Sequence, residues 1–126
     1  MMEITHNLRK EAIEIIPEGM FNFNETDNFD AYINDTAINA KQSVIAINLE
    51  KVEYIDSTGL GSLIKALNEA KKKGKEFLIF GATIKIQNIF KIARLEKFFS
   101  FISPVEFKTK YPSDEDSEID SFIESI

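Results

Sequence analysis

Between residues 53 and 62 the chain reads EYIDSTGLGS, so a carboxylate (Asp56), two hydroxyls (Ser57 and Thr58) and two glycines spaced by one leucine (Gly59 and Gly61) follow directly on an apolar run. Several chemistries use residues of these types, and each demands companions. A dinucleotide turn needs a third glycine in GxGxxG, but Ile64 stands at that place, and a phosphate-loop lysine is missing too. A serine-hydrolase elbow needs glycines around the nucleophile and a histidine base. Ser57 instead has Ile55 and Gly59 two positions to either side, and the one histidine is the distant His6. A phospho-aspartate receiver would pair Asp56 with acidic residues at the end of the first strand to hold magnesium, whereas the early segments end in Leu8 and Pro17. No histidine or carboxylate cluster suggests a metal site. Two readings stay open. Asp56 or Ser57 caps a helix, or Ser57 accepts a phosphate, whose charge of about −1.5 to −2 would meet the unpaired N–H groups and positive dipole end of a helix start.

The junction needs a strand before it and a helix after it, and the pattern supplies both. Val44 to Leu49 is a short apolar run rich in β-branched residues, as in a strand buried on both faces, and Val52 and Ile55 extend that character up to Asp56. Leu60, Leu63, Ile64, Leu67 and Ala70 then recur on one helical face. Lys71, Lys72 and Lys73 suit the carbonyl end of that helix, and Gly74 supplies its stop. Upstream, Ile4 to Leu8 and Ala12 to Ile15 predict two antiparallel strands, closed by Pro17 and Gly19. Asn24 is placed to cap a helix bearing Phe29, Tyr32, Ile33 and Ala37. Downstream come a strand over Glu76 to Phe80, a helix presenting Ile86, Ile89, Phe90 and Ala93, and a last strand near Phe101 to Phe107 interrupted by Pro104. The order ββαβαβαβ implies an α/β domain with a central mixed sheet, an N-terminal antiparallel hairpin, and helices mainly on one face.

Composition narrows the partners. At 126 residues the chain suits one domain, and 44% hydrophobic with 29% charged residues is a globular composition. Without cysteine, thiolate catalysis, disulfides and Cys-based zinc sites are excluded. No stretch approaches the roughly 18 apolar residues that span a bilayer, so a cytoplasmic protein without membrane insertion is expected. The net charge of −6 comes from Asp114, Glu115, Asp116, Glu118, Asp120 and Glu124, which leave fifteen acidic against fifteen basic side chains before residue 113. Such a surface releases few counterions on a nucleic acid, so protein partners are expected. Ser113 could start a tail helix with Ile119, Phe122, Ile123 and Ile126 along one stripe.

VIAINLEKVEYIDSTGLGSLIKALNEAKKKGKEFLIFG resembles the core signature of the STAS domain family of bacterial anti-sigma factor antagonists, and IFKIARLEKFF is similar to that family's next helix and turn. The resemblance implies a STAS domain over residues 3–110 with an acidic tail over 111–126. It also implies a binding protein in transcription control, not an enzyme, with no cofactor. In the family, the serine after the aspartate is phosphorylated by an anti-sigma factor that is itself a serine kinase. The unphosphorylated antagonist binds that factor and frees the sigma factor, and a metal-dependent serine phosphatase resets the switch. Carried over, Ser57 is the phosphoacceptor, Asp56 shapes the loop, Thr58 is a second and weaker hydroxyl, Gly59 lets a partner approach closely, and Leu60 completes the segment. Where the family often carries G-x-[LI]-D before its first helix, this chain has PEGMFNFNET, so Asn22 or Asn24 replaces the aspartate and Phe21 and Phe23 add bulk. Those phenylalanines either close the core or form a partner surface beside Ser57. The family also contains scaffold and transporter-associated modules that are never phosphorylated, which is the alternative role.

Overall fold

The computed structural model of the chain describes residues 2–113. Strands β1 (Met2–Leu8) and β2 (Ala12–Phe21) form an antiparallel hairpin in register from Met2 opposite Gly19 to Leu8 opposite Ile13. There follow α1 (Thr26–Tyr32), continued by a π-helical stretch over Ile33–Ile38, then β3 (Val44–Asn48), β4 (Val52–Ile55) and α2 (Ser57–Lys72). The chain goes on through β5 (Glu76–Phe80), α3 (Ile84–Ile92), β6 (Ser100–Phe101) and α4 (Pro104–Lys110). The sheet has six strands in the order β1-β2-β3-β5-β6, with β4 paired to β2. Among the named strands, the hairpin pairs antiparallel and the other pairings are parallel.

The first departure from the sequence reading is the length of β2, which does not stop at Pro17 and Gly19. It pairs with β3 through Ile15 and with β4 from Gly19 onward. The Gly19 N–H donates to the Lys51 carbonyl at 3.0 Å, so the nitrogen of Pro17, two residues back on the same edge, falls in the gap between the two partners. A missing donor costs nothing there. The second departure is that Val52 and Ile55 belong to a strand of their own, because the chain turns after Leu49, whose N–H reaches the Phe80 carbonyl at 2.9 Å.

Helix starts also differ. Asn22 rather than Asn24 caps, and its side chain accepts from the Asn24 N–H at 3.1 Å to open a 3-10 turn ahead of α1. The π-helical turn brings Ile33 and Ile38, five residues apart, both into the core. Pro104 does not interrupt a strand: it begins α4, where the locked φ suits a first helical position, behind a Ser103 cap that accepts from the Glu106 N–H at 3.0 Å. Ala93 lies at the end of α3 and is exposed, so the buried side chains of that helix are Ile86 and Phe90.

Two apolar clusters sandwich the sheet. One joins Ile13, Ile15, Ile45, Ile47 and Ile79 to Phe29 of α1, Leu63 of α2 and Phe90 of α3, which places these helices on one face as the crossover rule requires. The smaller cluster takes the alternate strand positions Ala12, Val44, Ala46, Leu78 and Phe80, and covers them with Phe107 of α4 and Tyr111. Phe107 stacks on Phe80 with ring centroids 4.4 Å apart, a contact that with full burial of the ring is worth roughly 2–3 kcal/mol. Ser113 bridges Arg9 in antiparallel fashion. The stripe of Ile119, Phe122, Ile123 and Ile126 lies outside the described residues.

Candidate functional site

The junction joins β4 to α2 and is held by Asp56. Its backbone is extended (φ −98°, ψ −178°) and its carboxylate caps α2 by accepting from the Gly59 N–H at 2.9 Å. The same oxygen accepts from the Thr58 hydroxyl at 2.5 Å, and the second oxygen accepts from the Phe23 N–H at 3.0 Å. Burial pushes the Asp56 carboxyl up, but the hydrogen bonds from the Thr58 hydroxyl and the Gly59, Phe23 and Thr58 amides outweigh it and hold the group below its ordinary value. One aspartate thus ties the loop before α1 to the start of α2.

This division of labour leaves Ser57 free. It is the first residue of α2 and is exposed, and among the described residues nothing bonds its hydroxyl. The cap and the exposed hydroxyl are therefore different residues, so both functions fit one loop. Thr58 is exposed as well, but its hydroxyl is committed to Asp56. Leu60 is buried in the main core, and its N–H closes the first α2 turn onto the Asp56 carbonyl at 3.0 Å.

Gly59 needs a different account from the one the resemblance suggested. It is buried, and a Cβ there would lie 2.5 Å from the Phe21 carbonyl oxygen and 2.7 Å from Ile55 Cγ1. The missing side chain lets α2 settle against β2 and β4, and it opens no space for a partner. Phe21 and Phe23 also part ways. Phe21 is wholly buried and packs on Phe29 with centroids 4.6 Å apart, so it closes the core and offers no docking surface. Phe23 is 71% exposed beside the backbone that Asp56 holds.

Beside this loop lie residues the sequence did not single out. Met20 pairs with Tyr54 across β2 and β4, and both are partly exposed. The Lys85 ammonium sits 5.4 Å from the Tyr54 ring centroid. The alternation of Met20 and Tyr54 with the buried Phe21 and Ile55 carries this information, but it is readable only once β4 is known to pair with β2. Among the described residues, no three His, Asp or Glu side chains converge to hold a metal ion. No helix there is long and apolar enough to cross a membrane.

The sequence matches the STAS domain family over residues 6–109, and the chain belongs to that family. Among curated proteins, the anti-sigma-B factor antagonist of Staphylococcus aureus is 40% identical over 52 residues, which are 41% of this chain and 48% of the relative. The match thus spans about half the length of that relative. Among solved structures, an anti-sigma factor antagonist from Mycobacterium paratuberculosis superposes with a TM-score of 0.71 at 15% identity, over 94% of this chain and 92% of that one. The Bacillus cell fate determinant SpoIIAA in its phosphorylated form gives 0.65 at 15% identity, over 86% and 98% of the two chains. The same protein, described as an anti-sigma factor antagonist in its unphosphorylated form, gives 0.68 at 15% identity, over 82% and 91%. At these identities the structural likeness is one of fold.

Proposed function

We propose that this chain is an anti-sigma factor antagonist switched by phosphorylation of Ser57. In this reading the unphosphorylated form binds an anti-sigma factor with serine kinase activity and so frees a sigma factor. The kinase transfers the γ-phosphoryl group of ATP to the Ser57 hydroxyl oxygen, with loss of the hydroxyl proton and release of ADP, and a metal-dependent serine phosphatase hydrolyses the ester. The observation that carries the reading is the separation of roles at the junction: Asp56 makes the cap, and Ser57 stands exposed with its hydroxyl unbonded among the described residues.

The physical consequence is local. A phosphate at the first residue of α2 adds about −1.5 to −2 of charge and bulk at an exposed position, beside a carboxylate already satisfied by its own donors. The fold keeps its cap while the surface gains negative charge and bulk, which is how a contact can be lost without unfolding. Incubation with the kinase and ATP followed by peptide mass spectrometry should place the phosphate at Ser57; phosphate found only at Thr58 would overturn the assignment. Ser57→Ala should keep partner binding and become insensitive to ATP, while Ser57→Asp should weaken binding at unchanged melting temperature.

A further inference from the structure

Beyond the Ser57 loop, the parallel half of the sheet sends two neighbouring connections to opposite faces. After β5, Gly81 (φ 79°) turns the chain toward α3 on the face of the main core. After β6, Ile102 and Ser103 lead to α4 on the other face. Where successive connections diverge at the carboxyl ends of parallel strands, a crevice opens, and open α/β sheets bind ligands in such crevices. Here it measures about 580 Å³, inside the range of roughly 300–1,000 Å³ typical of small-molecule sites.

Its walls are apolar: Ile79 and Phe80 from β5, Phe90 from α3, Phe101 from the edge strand β6, Ile102 just after it, and Pro104. Phe101 is 45% exposed, an aromatic ring left open where it borders this space. The charged side chains at the rim are Glu50, Lys91 and Glu96, two carboxylates against one ammonium. Glu50 is positioned by its surroundings: its N–H donates to Asn48 Oδ1 at 2.9 Å, and its Cγ occupies the space that a side chain at Gly81 would fill, 2.4 Å from where that Cβ would stand. No residue from 56 to 60 borders the crevice.

We propose that this crevice binds a small molecule with an aromatic or aliphatic body and a cationic polar end, the body against Phe90, Phe101 and Ile102 and the cation at Glu50 and Glu96. The rim charge disfavours phosphates and carboxylates, and it equally disfavours the six acidic side chains between residues 114 and 124 of this chain as an occupant. The test is a titration of the full chain with phenethylamine, followed by amide NMR shifts, with 3-phenylpropionate and ATP as matched anionic probes. Phenethylamine should saturate shifts at Gly81, Lys91, Ile102 and Ser103 with a Kd at or below about 1 mM, and both anions should bind at least about tenfold more weakly. Gln87→Trp, a change at an exposed α3 position bordering the crevice, should abolish those shifts at unchanged melting temperature. Glu50→Gln should weaken phenethylamine while leaving 3-phenylpropionate unchanged or stronger. Absence of saturable shifts at these amides, equal affinity for the amine and the anions, or shifts that survive Gln87→Trp would each overturn the proposal.

Discussion

Asp56 and Glu14 are both carboxylates that gather several donors, yet they sit in opposite surroundings. Asp56 is partly exposed, and two of its partners, Thr58 and Gly59, lie within three residues of it. Glu14 is 4% exposed and is completed both from across its own hairpin and from β3. One oxygen takes the Arg9 guanidinium at 2.7 Å and the other takes the Asn48 amide at 2.9 Å. Arg9 also donates to the Tyr111 carbonyl at 2.7 Å, and its guanidinium carbon lies 5.0 Å from the Phe107 ring centroid. The surface carboxylate organises the loop that opens α2, whereas the buried one, through Arg9, fastens the end of α4 to the hairpin. In the first, water limits the strength of each contact. In the second, any partner removed leaves a charge with nowhere to go.

The strongest way to break this comparison is Arg9→Met. It strands Glu14 in the interior, so about 3–5 kcal/mol of stability should be lost in urea unfolding at neutral pH. Arg9→Met combined with Glu14→Leu should recover most of that, since a buried pair is often replaceable by apolar groups of similar size. Arg9 Nε, buried and without a partner among the described residues, makes recovery easier, because the double change also removes that unsatisfied donor. A single variant that loses less than about 1 kcal/mol would mean that the pair is solvated and the contrast with Asp56 is false.

Gly59→Ala is the corresponding test at the junction. The added methyl group meets a backbone carbonyl, which cannot rotate away as a side-chain end could, so α2 must shift from β2 and β4. A loss of about 1–3 kcal/mol is expected. Gly61→Ala is the control, since a Cβ there meets nothing within 4 Å. It should be neutral or slightly stabilising in a helix interior.

These two sites also show what the sequence could tell. The junction was legible because its chemistry is local: a capping residue, a helix face beginning at Leu60 and a glycine stop at Gly74, whose φ is 69°. The hairpin, β3, β5 and the placement of α1, α2 and α3 on one face followed in the same way from short-range pattern and the crossover rule. Arg9, Glu14, Asn48 and Tyr111 carry no such signal, because the network exists only once β2, β3 and α4 have been assembled. β4 was hidden for a related reason: its pairing with the far end of β2 depends on that strand passing through Pro17, which a local reading takes as a stop. The fate of Gly59 turned on a carbonyl 38 residues earlier, that of Phe21.

Asp56 itself sharpens the comparison through pH. Because hydrogen bonds lower its folded value below the ordinary one of 3.8, the stability it contributes is fully present above that ordinary value and is lost as pH falls through the lowered one. Asp56→Asn keeps a capping oxygen but removes the charge, so it should cost on the order of 1 kcal/mol or less at pH 7. The gap between wild type and variant should close as the solution is acidified below about pH 4. Chemical denaturation at a series of pH values reads this directly, and a gap that stays constant down to pH 2 would show that the carboxylate's charge is not what the donors favour.

The smallest expected effect on stability is at Phe23. Asp56 holds this residue through its main-chain N–H, which any residue but proline supplies, while the ring is 71% exposed. Phe23→Ala should therefore leave the unfolding free energy within about 0.5 kcal/mol of wild type. Under the proposed function, the same change should weaken binding to the anti-sigma partner, because an exposed aromatic fixed beside the phosphoacceptor serves as an interface anchor. Calorimetric binding measured alongside urea unfolding separates the two possibilities. Lost stability with intact binding would assign the ring to the fold, and with it the last open position of the PEGMFNFNET loop. Unchanged stability with weakened binding would extend the partner surface from Ser57 across Asp56 to Phe23, so that one carboxylate orients both the residue that is modified and the residue that is recognised.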